Sequence, residues 1–376
     1  MWDRGLNTAA LKDYQTLLFD RIDQLVSALR RESTPKTRHV DLARWVAFFT
    51  LDFMGDLAWG GVFNSMKEGV DAHGIIDLSR FITRVHETAG TIPWMKQVFK
   101  HLPVSKQTEQ HSNFAKSIIL ERMNRGPTQT SDLFGNLIGE SDTSSEPLSL
   151  TTLVHETSLA LIAGTDTSAV TLANVFFYLL SYPDSLRRLQ AELELASSTS
   201  AGKGTNYLAG LHYLNAVINE TMRLQPVVPN GVQRVLIPGP SGQGEVVNDR
   251  YIPPRTNLQI STHCVHRDSE NFSPHPDGFW PDRWLPDIQA TLQEAERESF
   301  RLNEQAFFPF SYGPTGCAGK ALALMEMRAV ISAVLTNFDL AFADGWDPSE
   351  WECSLKDFYT MRGGPLKVVL TPRQKS

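Results

Sequence analysis

The sequence predicts a mainly α fold with small β-sheets, and three observations carry that expectation. Apolar residues recur at helical spacing through the first third, one long apolar helix runs to Tyr182, and strand-like stretches are short and gathered at 234–265 and the C-terminus. With 376 residues, 41% hydrophobic and 20% charged, the chain can bury a sizeable core. Its net charge of −7 and the lack of a Lys/Arg run argue against general nucleic-acid binding, which needs clustered cations at the phosphates.

In chain order, Leu11, Leu18, Ile22, Leu25, Val26 and Leu29 lie at helical spacing among charges, so residues 8–31 read as an amphipathic helix. Similar patterns predict helices at 41–58, 74–89 and 107–124, and polar 139–147 reads as a loop. Ser149 or Thr151 can cap the long helix that ends before Pro183. Its segment 157–180 is long enough for a bilayer, but Asp166 near its middle would cost about 3 kcal/mol there, so a core helix is expected. An amphipathic helix follows, then a linker whose "GKGT" fails as a phosphate loop because Ser197 stands where that loop needs glycine. Further helices are expected at 208–225, 288–304 and 319–337. Short strands are expected in "RVLIPG", "GEVVNDRYIPP", "NLQISTHCV" and "PLKVVLTP". No internal boundary divides the chain, so residues 1–376 are read as one domain.

Cys264, Cys317 and Cys353 are too few and too widely spaced for a disulfide framework or a four-cysteine zinc site, and the isolated histidines suggest no non-haem metal. Cys264 and Cys353 are expected in the core, where cysteine is commonly found. Cys317 differs by its setting, "FSYGPTGCAGK", where Gly313, Pro314, Gly316 and Gly319 make a tight loop ahead of a helix. A helix start there would aim N–H groups at the sulfur and favour the thiolate, a soft ligand suited to an axial position on haem iron.

Two further stretches stand out. In "AGTDTS", Gly164 costs about 1 kcal/mol against alanine inside a helix, so something besides propensity favours it. It can open a groove beside a Thr167–Asp166 proton route, or it can serve a close helix crossing. In "ETMR", Glu220 and Arg223 share a helix face, and Arg283 of "PDRW" can complete a buried network.

Together "AGTDTS", "ETMR", "PDRW" and "FSYGPTGCAG" stand in the order and approximate spacing of the cytochrome P450 family, and the chain resembles its eukaryotic microsomal members, fungal ones among them. The resemblance implies a P450-like fold, N-terminally truncated: the anchor, first helices and much of the larger sheet would be missing. It implies haem (iron protoporphyrin IX) ligated by Cys317, with Phe310 near the sulfur, Gly313 and Gly319 allowing close approach, and Arg234 pairing with a propionate. Thr167, Asp166 and Gly164 would form the oxygen-activation segment, and Glu220, Arg223 and Arg283 the structural triad. Val227, Val228, Val232, Tyr359 and Thr360 match pocket-lining segments. Thr315 departs from the pattern, which has Arg or His there to hold a propionate.

The activity implied is monooxygenation of an apolar small molecule, in secondary metabolism, with electrons from an NADPH-cytochrome P450 reductase or similar donor. The implied location is the cytosolic face of the endoplasmic reticulum membrane if an anchor exists; the chain alone reads as soluble. Lys320 and Arg328 can face an acidic partner or be plain surface charges. The rival readings are a truncated remnant without turnover and a haem-binding sensor or carrier.

Overall fold

A computed structural model describes residues 2–34, 39–92, 94–99, 101, 104–126, 132–138, 148–198 and 204–374. The expected loop at 139–147 and the linker segment 199–203 lie outside the described residues.

The longer helices are α1 (Thr8–Glu32), α2 (Leu42–Trp59), α3 (Ile75–Thr91), α4 (Val104–Arg125), α5 (Leu150–Ser181), α6 (Pro183–Ser198), α7 (His212–Leu224) and α8 (Lys320–Asn337). Their starts follow local chemistry. Asn7 Oδ1 accepts from the Ala9 and Ala10 N–H groups to cap α1, Asp41 accepts from Arg44 to cap α2, and Ser149 Oγ accepts from Thr152 to cap α5. Pro183 opens α6, where its missing N–H costs nothing, and Gly60 closes α2 at φ 69°.

α5 is the axis of the core. It is long and apolar enough to cross a membrane, yet α2, α4, α7 and α8 pack around it, and Leu172, Val175 and Phe176 are wholly buried. Each such side chain contributes roughly 2–3 kcal/mol by leaving water. A close approach lies at Gly164, where a Cβ would fall 2.5 Å from Met54 Sδ of α2. A three-stranded antiparallel sheet has Lys367–Pro372 at its centre, with Val40–Asp41 on one side and Phe338–Phe342 on the other. Val40 lies opposite Val368, which also faces Phe342.

The structure corrects several expectations. "NLQISTHCV" is a strand only at Asn257–Leu258; Ser261 then accepts from the Cys264 N–H and caps a helix, Thr262–His266. The helix expected at 288–304 is two short pieces, Ile288–Thr291 and Glu294–Ser299, because a capping box between Gln293 and Glu296 restarts the chain. The helix expected from 208 breaks at Gly210, after Thr205–Ala209. Cys264 and Cys353 are exposed, so neither is a core residue.

Candidate functional site

The Cys317 loop is shaped by backbone bonds. Gly313 adopts φ +73°, a left-handed conformation that glycine takes without strain, and starts a single 3-10 turn through Thr315. Gly316 N–H then donates to Gly313 O at 2.9 Å, and Cys317 N–H donates to Phe310 O at 2.9 Å, which pins the cysteine across the loop. Phe310 thus acts through its carbonyl, while its ring lies 5.8 Å from Lys320 Nζ.

Cys317 is an exposed residue whose sulfur nevertheless sits among protein atoms: burial pushes the thiol pKa up, while the Gly319 and Lys320 N–H groups and the Lys320 charge pull it down. Gly319 has an ordinary φ of −82°, and a Cβ there would meet the sulfur only at ordinary van der Waals distance, 3.9 Å. Arg234 comes to the same loop from a strand paired with Asn257–Leu258, and its Nη2 donates to Ser311 Oγ at 3.2 Å. Thr315 is exposed and adds no charge. An exposed cysteine, N–H donors at its sulfur and a nearby guanidinium fit a thiolate-bound haem.

On α5, Ala163 is exposed and Gly164 and Thr167 are partly so. Thr167 Oγ1 donates to Ala163 O at 2.7 Å, and Thr171 Oγ1 repeats the pattern onto Thr167 O at 2.8 Å. Of the two readings of Gly164, the structure shows the close helix crossing against Met54. Asp166 turns away from the Thr167 face and is buried, with Arg362 Nη2 donating to its Oδ2 at 2.9 Å. Burial pushes the Asp166 pKa up, and Arg362, with Arg80 farther off, pulls it down. Asp166 also lines a cavity of about 420 Å³ shared with α2, α3 and the C-terminal segment.

Behind these elements the expected network is complete. Glu220 receives Arg223 Nε and Nη2 at 2.8 Å each, Arg283 Nε at 3.0 Å, the Trp280 N–H at 2.9 Å and Trp284 Nε1 at 2.9 Å. The arginines spend further donors on the carbonyls of His266, Pro274, His275 and Gly278. All three members are fully buried.

The substrate candidates divide. Val227 and Val228 are half-buried, Val232 and Tyr359 are exposed, and Thr360 is buried, 4% exposed. Met361 N–H donates to Val227 O at 2.7 Å, joining the turn after α7 to the hairpin Lys356–Arg362. Arg328 is no free surface cation, because its Nε donates to Asn215 Oδ1 at 2.8 Å.

Sequence reasoning missed two partners. Arg362 gave no local signal, and Glu326 of α8, which accepts from Ser168 Oγ at 2.8 Å, was masked by the apolar pattern around it. Glu326 is fully buried, and burial pushes its pKa up to about 8. This contact holds the helix that follows Cys317 directly against α5.

The family model for cytochrome P450 matches residues 5–361. The chain belongs to the cytochrome P450 family. It is 35% identical over 380 residues to "Cytochrome P450 67" of Uromyces fabae, covering 100% of this chain and 68% of that protein. It is 30% identical to "Cytochrome P450 monooxygenase FCK2" of Fusarium pseudograminearum (99% of this chain, 64% of that one) and 30% identical to "Cytochrome P450 monooxygenase nodW" of Hypoxylon pulicicidum (99% and 66%). The chain therefore spans about two thirds of the length of these curated relatives. In structure it resembles the cytochrome P450DA heme domain, with a TM-score of 0.78 at 21% identity, over 98% of this chain and 75% of that one. That likeness shows a P450 fold in a mainly helical chain with small sheets.

Proposed function

We propose that this P450 is a haem-thiolate monooxygenase that oxidises an apolar small molecule in secondary metabolism, with electrons from a separate NADPH-dependent reductase. The observation that carries the reading is Cys317, pinned to Phe310 O and faced by the Gly319 and Lys320 N–H groups. Haem, when bound, supplies dioxygen activation, and thiolate ligation favours O–O cleavage.

The residues around it have separate tasks. Cys317 ligates the iron and its loop amides hold the sulfur's negative charge, while Arg234 offers a haem carboxylate its guanidinium. Thr167 presents a hydroxyl on the open face of α5 and holds a proton there; Asp166 restores that proton from the buried side. Val227, Val228, Val232 and Tyr359 wall the substrate and exclude water. Residues 1–376 act as one catalytic domain. We place the protein at the endoplasmic reticulum, on the cytosolic face.

The test is the carbon monoxide difference spectrum of the reduced protein. A red-shifted thiolate band, lost in Cys317→Ser, is expected; a band that survives Cys317→Ser overturns the assignment of the ligand. Thr167→Ala should divert reducing equivalents to peroxide, and unchanged coupling of NADPH use to product would remove that role. Thr315, in place of a cation, favours a second reading, a chain that holds haem without turnover; a thiolate band with no NADPH-driven product from any apolar substrate supports it.

A further inference from the structure

His266 closes the short helix Thr262–His266 and is wholly buried. It is engaged at both ends. Its backbone carbonyl accepts Arg223 Nη1 at 2.8 Å, which places it on the rim of the Glu220 network. Its ring reaches the other way, and the Phe308 N–H donates to Nε2 at 3.0 Å across 42 residues of chain. With Nε2 accepting, the imidazole is neutral and carries its proton on Nδ1, which is buried against the backbone of α7 at Arg223 and Met222 without an aligned hydrogen bond. Phe272, Phe307 and Phe308 hold the ring, with centroids 6.1, 5.3 and 5.3 Å away.

Phe308 is where the Cys317 loop is tied down. Phe308 O accepts the Ser311 N–H at 3.0 Å, Phe310 O accepts the Cys317 N–H at 2.9 Å, and between them Ser311 stands at φ 61°. A left-handed serine is strained and persists only where its neighbours are fixed. From outside the loop, Arg234 Nη2 holds Ser311 Oγ at 3.2 Å and His266 Nε2 holds the Phe308 N–H. Arg234 is half-buried, whereas His266 is out of water altogether. The imidazole thus joins the buried Glu220–Arg223 pair to the first residue of the loop that presents the sulfur.

We propose that His266 is a positioning residue for the iron ligand, the side chain through which the Glu220–Arg223 pair fixes the loop from Phe308 to Cys317. This rests on the haem-thiolate reading for what the sulfur holds, though not for its geometry. Without an acceptor at Nε2 the Phe308 peptide turns to find another, Ser311 relaxes from its left-handed backbone, and the Cys317 N–H bond to Phe310 O loosens. The sulfur then loses its fixed place while the Glu220 network stays closed, since Arg223 is held by the His266 carbonyl and not by its ring.

The test uses the haem-loaded protein and two readouts: the lifetime of the red-shifted thiolate band under carbon monoxide, and amide hydrogen exchange through residues 308–317. His266→Phe keeps an aromatic ring and removes the acceptor. The band should decay about tenfold faster, and exchange at Ser311 and Cys317 should speed up about tenfold, as expected for the loss of one buried hydrogen bond. His266→Gln puts an amide oxygen where Nε2 stands and should restore most of both. Leu25→Ala, at a wholly buried position of α1, controls for general destabilisation: it should lower Tm and leave band lifetime and loop exchange near wild type. If His266→Phe moves the two readouts no more than Leu25→Ala does, or if His266→Gln restores neither, the proposal is overturned. Should His266→Phe fail to fold, His266→Asn takes its place, because its amide ends where Nδ1 stands; wild-type lifetime and exchange in that variant overturn the proposal equally. Absence of the thiolate band from the wild type sinks the haem-thiolate reading instead, and loop exchange still decides the part played by His266.

Discussion

Glu220 and Asp166 are both buried carboxylates facing arginine, yet they are held in opposite ways. Glu220 receives donors from Arg223, Arg283, Trp280 and Trp284, whereas among the described residues Asp166 takes its hydrogen bond from Arg362 alone and borders a cavity. A saturated carboxylate cannot move without orphaning several buried groups, and so it fixes geometry. A lightly held one can exchange its partner for water.

The sharpest way to break this comparison is to remove each charge in turn. Glu220→Gln leaves two fully buried guanidiniums facing one another and should cost about 3–5 kcal/mol, read as loss of soluble protein or a large fall in urea midpoint. Asp166→Asn leaves Arg362 beside a cavity that can hydrate it, so the loss should be about 1–3 kcal/mol with folding retained. Equal losses would show that the cavity gives Arg362 no relief.

Two buried titratable groups set opposite pH slopes. His266 accepts from the Phe308 N–H, and burial holds its pKa at about 4, below the ordinary 6.5. The unfolded state thus binds the extra proton, and the contribution of His266 to stability should fall by roughly 3 kcal/mol as pH drops from 6.5 towards 4. Glu326 is the reverse: with its pKa raised from 4.5 to about 8, its contribution is full below pH 4.5 and is lost as pH rises through 8. The two windows overlap between pH 4.5 and 6.5, where the opposing slopes cancel, so wild-type urea midpoints should fall chiefly above pH 6.5, and Glu326→Gln should flatten that alkaline fall and uncover the full acid arm of His266. An unchanged alkaline slope in that variant would contradict the buried neutral acid.

At the close helix crossing, Gly164→Val should cost about 1–3 kcal/mol by collision with Met54, and Met54→Ala should recover part of it in a double-mutant cycle. Additive losses would separate Gly164 from that contact. The smallest effect is expected at the surface: Asp184 pairs with Arg187 in solvent, and Asp184→Asn should shift stability by less than about 0.5 kcal/mol.

What the sequence disclosed follows the reach of its signals. The Cys317 loop, "ETMR" and the Thr167 segment are each compact runs in which glycine, proline or helical spacing constrains the backbone, and the structure builds all three where expected. Arg283 could be paired with Glu220 because "PDRW" is itself a recognisable run. Arg362 could not be paired with Asp166, since 196 residues separate them and nothing in "TMRGG" marks its arginine. Ser168 and Glu326 are 158 residues apart and sit in helices whose apolar pattern says only that they pack. The break at residues 288–304 was hidden because a capping box draws on the same polar residues as an exposed helix face.

The sheet that pairs Val40 with Val368 also bears on how the protein is made. Asp41 Oδ1 accepts the Leu366 N–H across 325 residues of chain, so among the described residues the strand before α2 meets its pairing partner only once Lys367–Pro372 has been synthesised. At roughly 5–20 residues per second that wait lasts about 15–65 s, during which the Val40 edge must be shielded by chaperones or by α1 and α2. Synthesis that stops short of Lys367 leaves helices without their clasp, and such chains should be the ones the cell degrades first.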